Sequence, residues 1–177
     1  MEVNAVNLNN TSRSIITLSK TIYHNPYIEL PHLIIMVSLS NLRKEHIKIG
    51  IEIDELEAII SSDEINYPNL IHVFKNLVPV WNSHEDKEEK LFSKLQKSYP
   101  ELDFSIVDRM LFDHKELKGH RKVVSDAISS GSEFEIKVAL DTDGRMMIDK
   151  IRRHIKDENE LFDIIQNQNN TKNQSVI

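Results

Sequence analysis

The chain has no cysteine among its 177 residues. Disulfides, thiolate-bound metals and cysteine nucleophiles are excluded together, so any metal ion must be held by histidine and carboxylate side chains. Glycine and proline are scarce, at four and five. So few turn formers argue for long elements, which in a chain of this length means helices. Basic residues are outnumbered, 22 against 28 acidic, and a net charge of −6 leaves no basic face of the kind nucleic acid needs. Long apolar runs are missing as well. The most apolar stretch, LPHLIIMVSLSNL from Leu30, is too short and interrupted to span a bilayer. The N-terminal MEVNAVNLNN is too polar for a secretory signal. These absences predict a cytoplasmic protein with no membrane partner.

What is present is helical periodicity, four times over. Leu39, Leu42, Ile49, Ile53, Leu56 and Ile60 predict a first helix from about Pro31, ending at the loop SSDEINYPN. Phe74, Leu77, Trp81, Leu91 and Leu95 predict a second from about Asn69, stopped by Pro100. Val107, Met110, Leu111, Leu117, Val124 and Ile128 mark a third from about Asp103, closed by SSGSEFE with its glycine stop and serine cap. Leu140, Met147, Ile151, Leu161 and Ile165 mark a fourth from about Glu133, with a break expected near Gly144. The fold class is therefore all-α, an antiparallel up-down four-helix bundle. The expected organisation is an N-terminal arm over residues 1–30, the bundle over 31–167, and a polar tail over 168–177.

Two nine-residue patterns stand out against this frame. HEDKEEKLF begins at His84 and HIKDENELF at His154. Each reads His, three residues, Glu, two residues, Leu-Phe. Residues four apart share a helix face, and that face is the apolar one in both helices, so His84, Glu88, His154 and Glu158 all point to the core. The other two helices carry one inward histidine each, His46 between Leu42 and Ile49, and His114 between Met110 and Leu117. Every helix thus contributes one histidine at about the same level of the bundle. Burying such groups without compensation costs several kcal/mol per charge. A pair of divalent or trivalent ions would compensate them, and imidazole with carboxylate suits iron, manganese or zinc. The plainer reading is that inward histidines are hydrogen-bonded core residues. Two matched repeats, with one histidine per helix, weigh against it.

These residues resemble the hemerythrin-like family, the HHE cation-binding domains, over about residues 38 to 165. The family places His on the first and third helices and His-x-x-x-Glu on the second. Its fourth helix carries either that motif or a five-residue His-to-Asp spacing. The matching positions are His46, His84, Glu88, His114, His154 and Glu158. The resemblance implies a non-haem di-iron centre, two iron ions bridged by Glu88, Glu158 and a solvent oxygen. It departs from the oxygen carriers at Lys118, where they have a second histidine on the third helix. It departs again at Asn159, five residues after His154, so that Glu158 takes the place of an Asp.

The other histidines fit less well. His120 lies on the flank of its helix. His72 and His32 are about 18 and 21 Å along their helices from His84 and His46, and His24 falls in the arm. Glu45, Glu85, Glu89 and Asp113 neighbour the site residues in sequence and are expected to be solvated, with room for one to back a ligand. Trp81, one turn before His84, either packs over the metal or is an ordinary core aromatic.

The function expected is a di-iron protein that binds O2 or a related small ligand, in oxygen or iron sensing, storage or redox protection. It reads as a binding protein rather than a dedicated enzyme, and no protein partner is indicated. One alternative is an enzyme acting on peroxide or nitric oxide, or supplying iron for iron–sulfur repair. The repair relatives usually carry a cysteine-bearing N-terminal segment, which a chain without cysteine does not have. A metal-free helical interaction module is the third reading.

Overall fold

The computed structural model describes the backbone of residues 30–174 and the side chains of 33–168. The N-terminal arm with His24, Tyr23 and Tyr27, the side chain of His32, and the polar tail beyond residue 168 lie outside the described side chains. The elements are α1 (Leu30–Ile60), α2 (Tyr67–Ser98), α3 (Ser105–Ser130), α4 (Glu133–Ala139), a π-helical turn (Leu140–Gly144) and α5 (Arg145–Gln174). The last three run on as one rod, so the chain forms the four rods the apolar stripes predict. No strand occurs among the described residues. Each rod packs on two others, in the order α1, α2, α3, α5 and back to α1.

The helix ends follow local chemistry. The side chain of Asn66 accepts from the Asn69 N–H at 3.0 Å, and Pro68 lies in the first turn, where a missing N–H is harmless. This cap starts α2 two residues earlier than the apolar stripe alone suggests. Pro79 sits inside α2 at an exposed position and does not end it. Gly131 closes α3 with φ +70°, a left-handed conformation natural only to glycine. Ser132 then caps α4 by accepting from Glu135 N–H. The break expected near Gly144 is the π turn itself. A Cβ on Gly144 would approach Ile60 Cδ1 to 3.1 Å, so a bare glycine lets the turn sit against the end of α1.

The core comes in two apolar blocks. One contains Ile49, Ile53, Leu56, Leu70, Leu77, Trp81, Leu117, Val124, Met147 and Ile151. The other contains Leu39, Leu42, Leu91, Phe92, Leu95, Val107, Met110, Leu161, Phe162 and Ile165. Along every rod the site histidine falls between these blocks: His46 between Leu42 and Ile49, His84 between Trp81 and Leu91, His114 between Met110 and Leu117, His154 between Ile151 and Leu161. A polar layer thus interrupts the core midway, with an apolar plug on each side. Among the described residues no helix is long and apolar enough to cross a membrane.

Candidate metal centre

All six residues singled out by the repeats meet in this layer. Glu88, Glu158, His84 and His154 are fully buried, and His114 and His46 are 1% and 6% exposed. They form two lobes. In the first, Glu158 Oε2 accepts from His46 Nε2–H at 2.7 Å and from His84 Nε2–H at 3.2 Å. In the second, Glu88 Oε2 accepts from His114 Nε2–H at 3.1 Å and His154 Nε2–H at 3.2 Å. The ring centroids within each histidine pair are 4.9 Å apart. The lobes touch where His84 Nε2 lies 3.7 Å from Glu88 Oε2. One donor atom each from His84, Glu88, His154 and Glu158 falls within a 4.8 Å cluster.

Each carboxylate serves histidines of other helices rather than only its own. The i, i+4 pairing puts His and Glu on one face, and the antiparallel packing then crosses them over. The second oxygens, Glu88 Oε1 and Glu158 Oε1, are buried without a hydrogen-bond partner among the described residues. An unsatisfied buried carboxylate oxygen is costly. Two of them beside four imidazole nitrogens form a donor set that fits a cation of the iron, manganese or zinc type.

The electrostatics agree. Burial pushes the Glu88 carboxyl up, but hydrogen bonds and charge from His114 and His154 outweigh it and bring it down to about 2. Burial likewise opposes charge on His84, yet the hydrogen bond to Glu158 and the charges of Glu158 and Glu88 hold that imidazole above its ordinary value. His114 is raised in the same way, against burial, by Glu88, Glu85 and Glu89.

Behind the layer stand partners at positions next to the site residues, half-buried at Glu45 and exposed at Glu89. Glu45 Oε2 lies 3.4 Å from His84 Nδ1, and Lys87 pairs with the other oxygen of Glu45. Glu89 Oε1 lies 3.3 Å from His114 Nδ1. Asn159 Oδ1 lies 3.2 Å from His46 Nδ1 and also accepts from Arg43 at 3.4 Å. The common rule is that the residue beside a site residue on one helix supports the histidine of a neighbouring helix. A one-residue step turns about 100° around the rod, from the core toward the adjoining interface. That adjacency was the available signal.

Glu85 corrects the expectation most fully. It is 2% exposed, accepts from Trp81 Nε1–H at 2.5 Å, and takes Arg121 on both oxygens at 3.5 and 3.4 Å. Lys118 Nζ, at the position where carriers have histidine, reaches Glu85 at 3.9 Å. Asp113 is also buried and faces Lys150 at 3.8 Å. Trp81 packs against two site residues, its ring 5.4 Å from that of His84 and 5.6 Å from that of His154. His120 is outside the layer and pairs with Asp143 of the π turn at 2.8 Å, and His72 is exposed.

Four imidazoles and two carboxylates in a buried layer of a helical bundle are the makings of a cation-binding protein. The profile of the hemerythrin HHE cation-binding domain matches residues 37–165, and the chain belongs to that family. No curated protein and no solved structure gives a significant match.

Proposed function

We propose that the chain holds two iron ions in this layer and binds O2 or a related small ligand there, in sensing, storage or redox protection. His46, His84 and Glu158 would hold one ion, and His114, His154 and Glu88 the other. Glu88 and Glu158 would each reach the neighbouring ion with the second oxygen. The observation that carries this reading is the pair of buried, unpartnered oxygens, Glu88 Oε1 and Glu158 Oε1. Bound iron would supply reversible electron transfer and affinity for small ligands such as O2, nitric oxide and peroxide.

The protein's own part is to position and to exclude. The apolar blocks on either side keep bulk water from the layer, which strengthens every charge interaction within it. The Phe162 ring lies parallel to the His46 ring at 6.0 Å between centroids, and the Arg43 guanidinium lies 5.6 Å from the same Phe162 ring. His46 is the most exposed of the six residues, so this edge is the proposed entry for a small ligand.

The test is metal analysis of the purified protein with absorption spectra in air and after reduction. Two irons per chain, with near-ultraviolet charge-transfer bands that fade on reduction and change on adding O2, is the expected result. No bound metal after anaerobic reconstitution with ferrous iron would refute the proposal. Sustained turnover of hydrogen peroxide by the loaded protein would replace binding with catalysis as its role.

A further inference from the structure

The four imidazoles differ in what stands behind them. A ring that gives the Nε2 lone pair to a metal ion must carry its proton on Nδ1. For three of the four an acceptor is in place there. Asn159 Oδ1 stands behind His46, Glu45 behind His84 and Glu89 behind His114. His154 Nδ1 has no partner among the described residues, although its ring is fully buried.

The two lobes are therefore unequally supported. In the His46, His84 and Glu158 lobe both rings have an acceptor. Arg43 and Lys87 also touch those acceptors, but an amide or carboxylate oxygen has lone pairs for two donors. In the His114, His154 and Glu88 lobe one ring has none. The acceptor of the other, Glu89, has a side chain 47% exposed against 19% for Glu45, and water screens it. Partners of this kind fix the tautomer and raise the donor strength of a metal-bound histidine, and losing one typically weakens metal binding about 10–100-fold.

We propose that the two metal positions are unequal: the His46, His84 and Glu158 position fills first and empties last, and the His114, His154 and Glu88 position is the exchangeable one. This rests on the reading that the layer holds two ions. Its consequence is a stable state with a single ion, so that occupancy follows metal supply in two stages. A chain of this kind gives up one ion readily while the other keeps the bundle closed.

The experiment is anaerobic titration of the metal-free full chain with ferrous iron. Free metal is measured after equilibrium dialysis, and helicity is checked by circular dichroism. Two equivalents should bind in separate steps at least about tenfold apart in affinity. His114→Gln should keep the tight step and lose the weak one, and His46→Gln should do the reverse. Both of these variants alter the buried layer itself, so Glu45→Ala and Glu89→Ala, at more exposed positions, repeat the decision. The first should weaken only the tight step and the second only the weak step, each about tenfold. Two equivalents bound with one affinity, or a tight step that survives His46→Gln and is lost in His114→Gln, would overturn the proposal while leaving the two-ion reading standing. No uptake by the unaltered chain would overturn both.

Discussion

Trp81 and Glu85 sit one turn apart on α2, and the indole N–H donates to the Glu85 carboxylate at 2.5 Å where neither residue meets solvent. Arg121 closes the pair from α3. Glu85→Ala would strand a buried guanidinium and an indole N–H together. Breaking a buried pair from one side costs about 3–5 kcal/mol. Urea unfolding of the metal-free chain should show a loss of that order. The double variant Glu85→Leu, Arg121→Met should recover most of it, because no unpaired charge remains. A loss below about 1 kcal/mol in the single variant would mean that the pair does not hold the indole.

Glu88→Ala and Glu158→Ala each remove one carboxylate from the layer. Both variants should lose iron in metal analysis, and each should leave two imidazoles without the oxygen that now accepts from them. Stoichiometric iron retained in both would sink the assignment of bridging roles.

Protons should act on the metal-free and metal-loaded chains in opposite directions. Glu88 is near 2 when folded, against an ordinary value of 4.5. Its contribution to stability is present above 4.5 and lost as pH falls from there toward 2. His84 and His114 lie above their ordinary value of 6.5 when folded. Their contribution is complete below 6.5 and is lost as pH rises through the folded values. The metal-free chain should therefore be most stable between about 4.5 and 6.5. Metal binding needs Nε2 free of its proton, so stabilisation by metal should grow as pH rises through the same region. Urea midpoints measured against pH, with chelator and with excess metal, should converge at the acid end and separate as pH rises. Parallel curves would contradict the assignment.

Two glycines should respond oppositely to alanine. Gly50 lies within α1 with open space where a Cβ would go, so Gly50→Ala should stabilise by about 0.5–1 kcal/mol through helix propensity. Gly131 has φ +70°, so Gly131→Ala should destabilise by about 1–2 kcal/mol. Thermal unfolding of the two variants reads both signs at once.

The bundle and its polar layer were legible because both are written in the same code. A period of 3.6 marks the apolar stripe, and a histidine set into that stripe is placed in the core by the same count. His84, Glu88, His154 and Glu158 needed no more than this. Glu85 was not legible, because it sits among charged residues in HEDKEEK, and its partner Arg121 belongs to another helix. Only packing shows that a position 100° from the stripe is still covered by α3. For Glu45 and Glu89 the sequence left room for one supporting partner without saying which, and for Asn159 it gave no such role. Their neighbours in sequence are site residues, but the rings they support lie across an interface. The early start of α2 was hidden because Pro68 reads as a breaker until Asn66 is seen to cap the turn that holds it.

The π turn at Leu140–Gly144 sets the phase of the whole fourth rod. A π turn fits one residue more than an α turn into about the same rotation, so winding all five residues as regular α-helix would turn α5 by about 100° relative to α4. His154 and Glu158 would swing out of the layer together, taking one ring from one lobe and the shared carboxylate from the other. The five residues LDTDG, ahead of both site residues of α5 in the chain, act as the gear tooth that keeps two helices timed to each other.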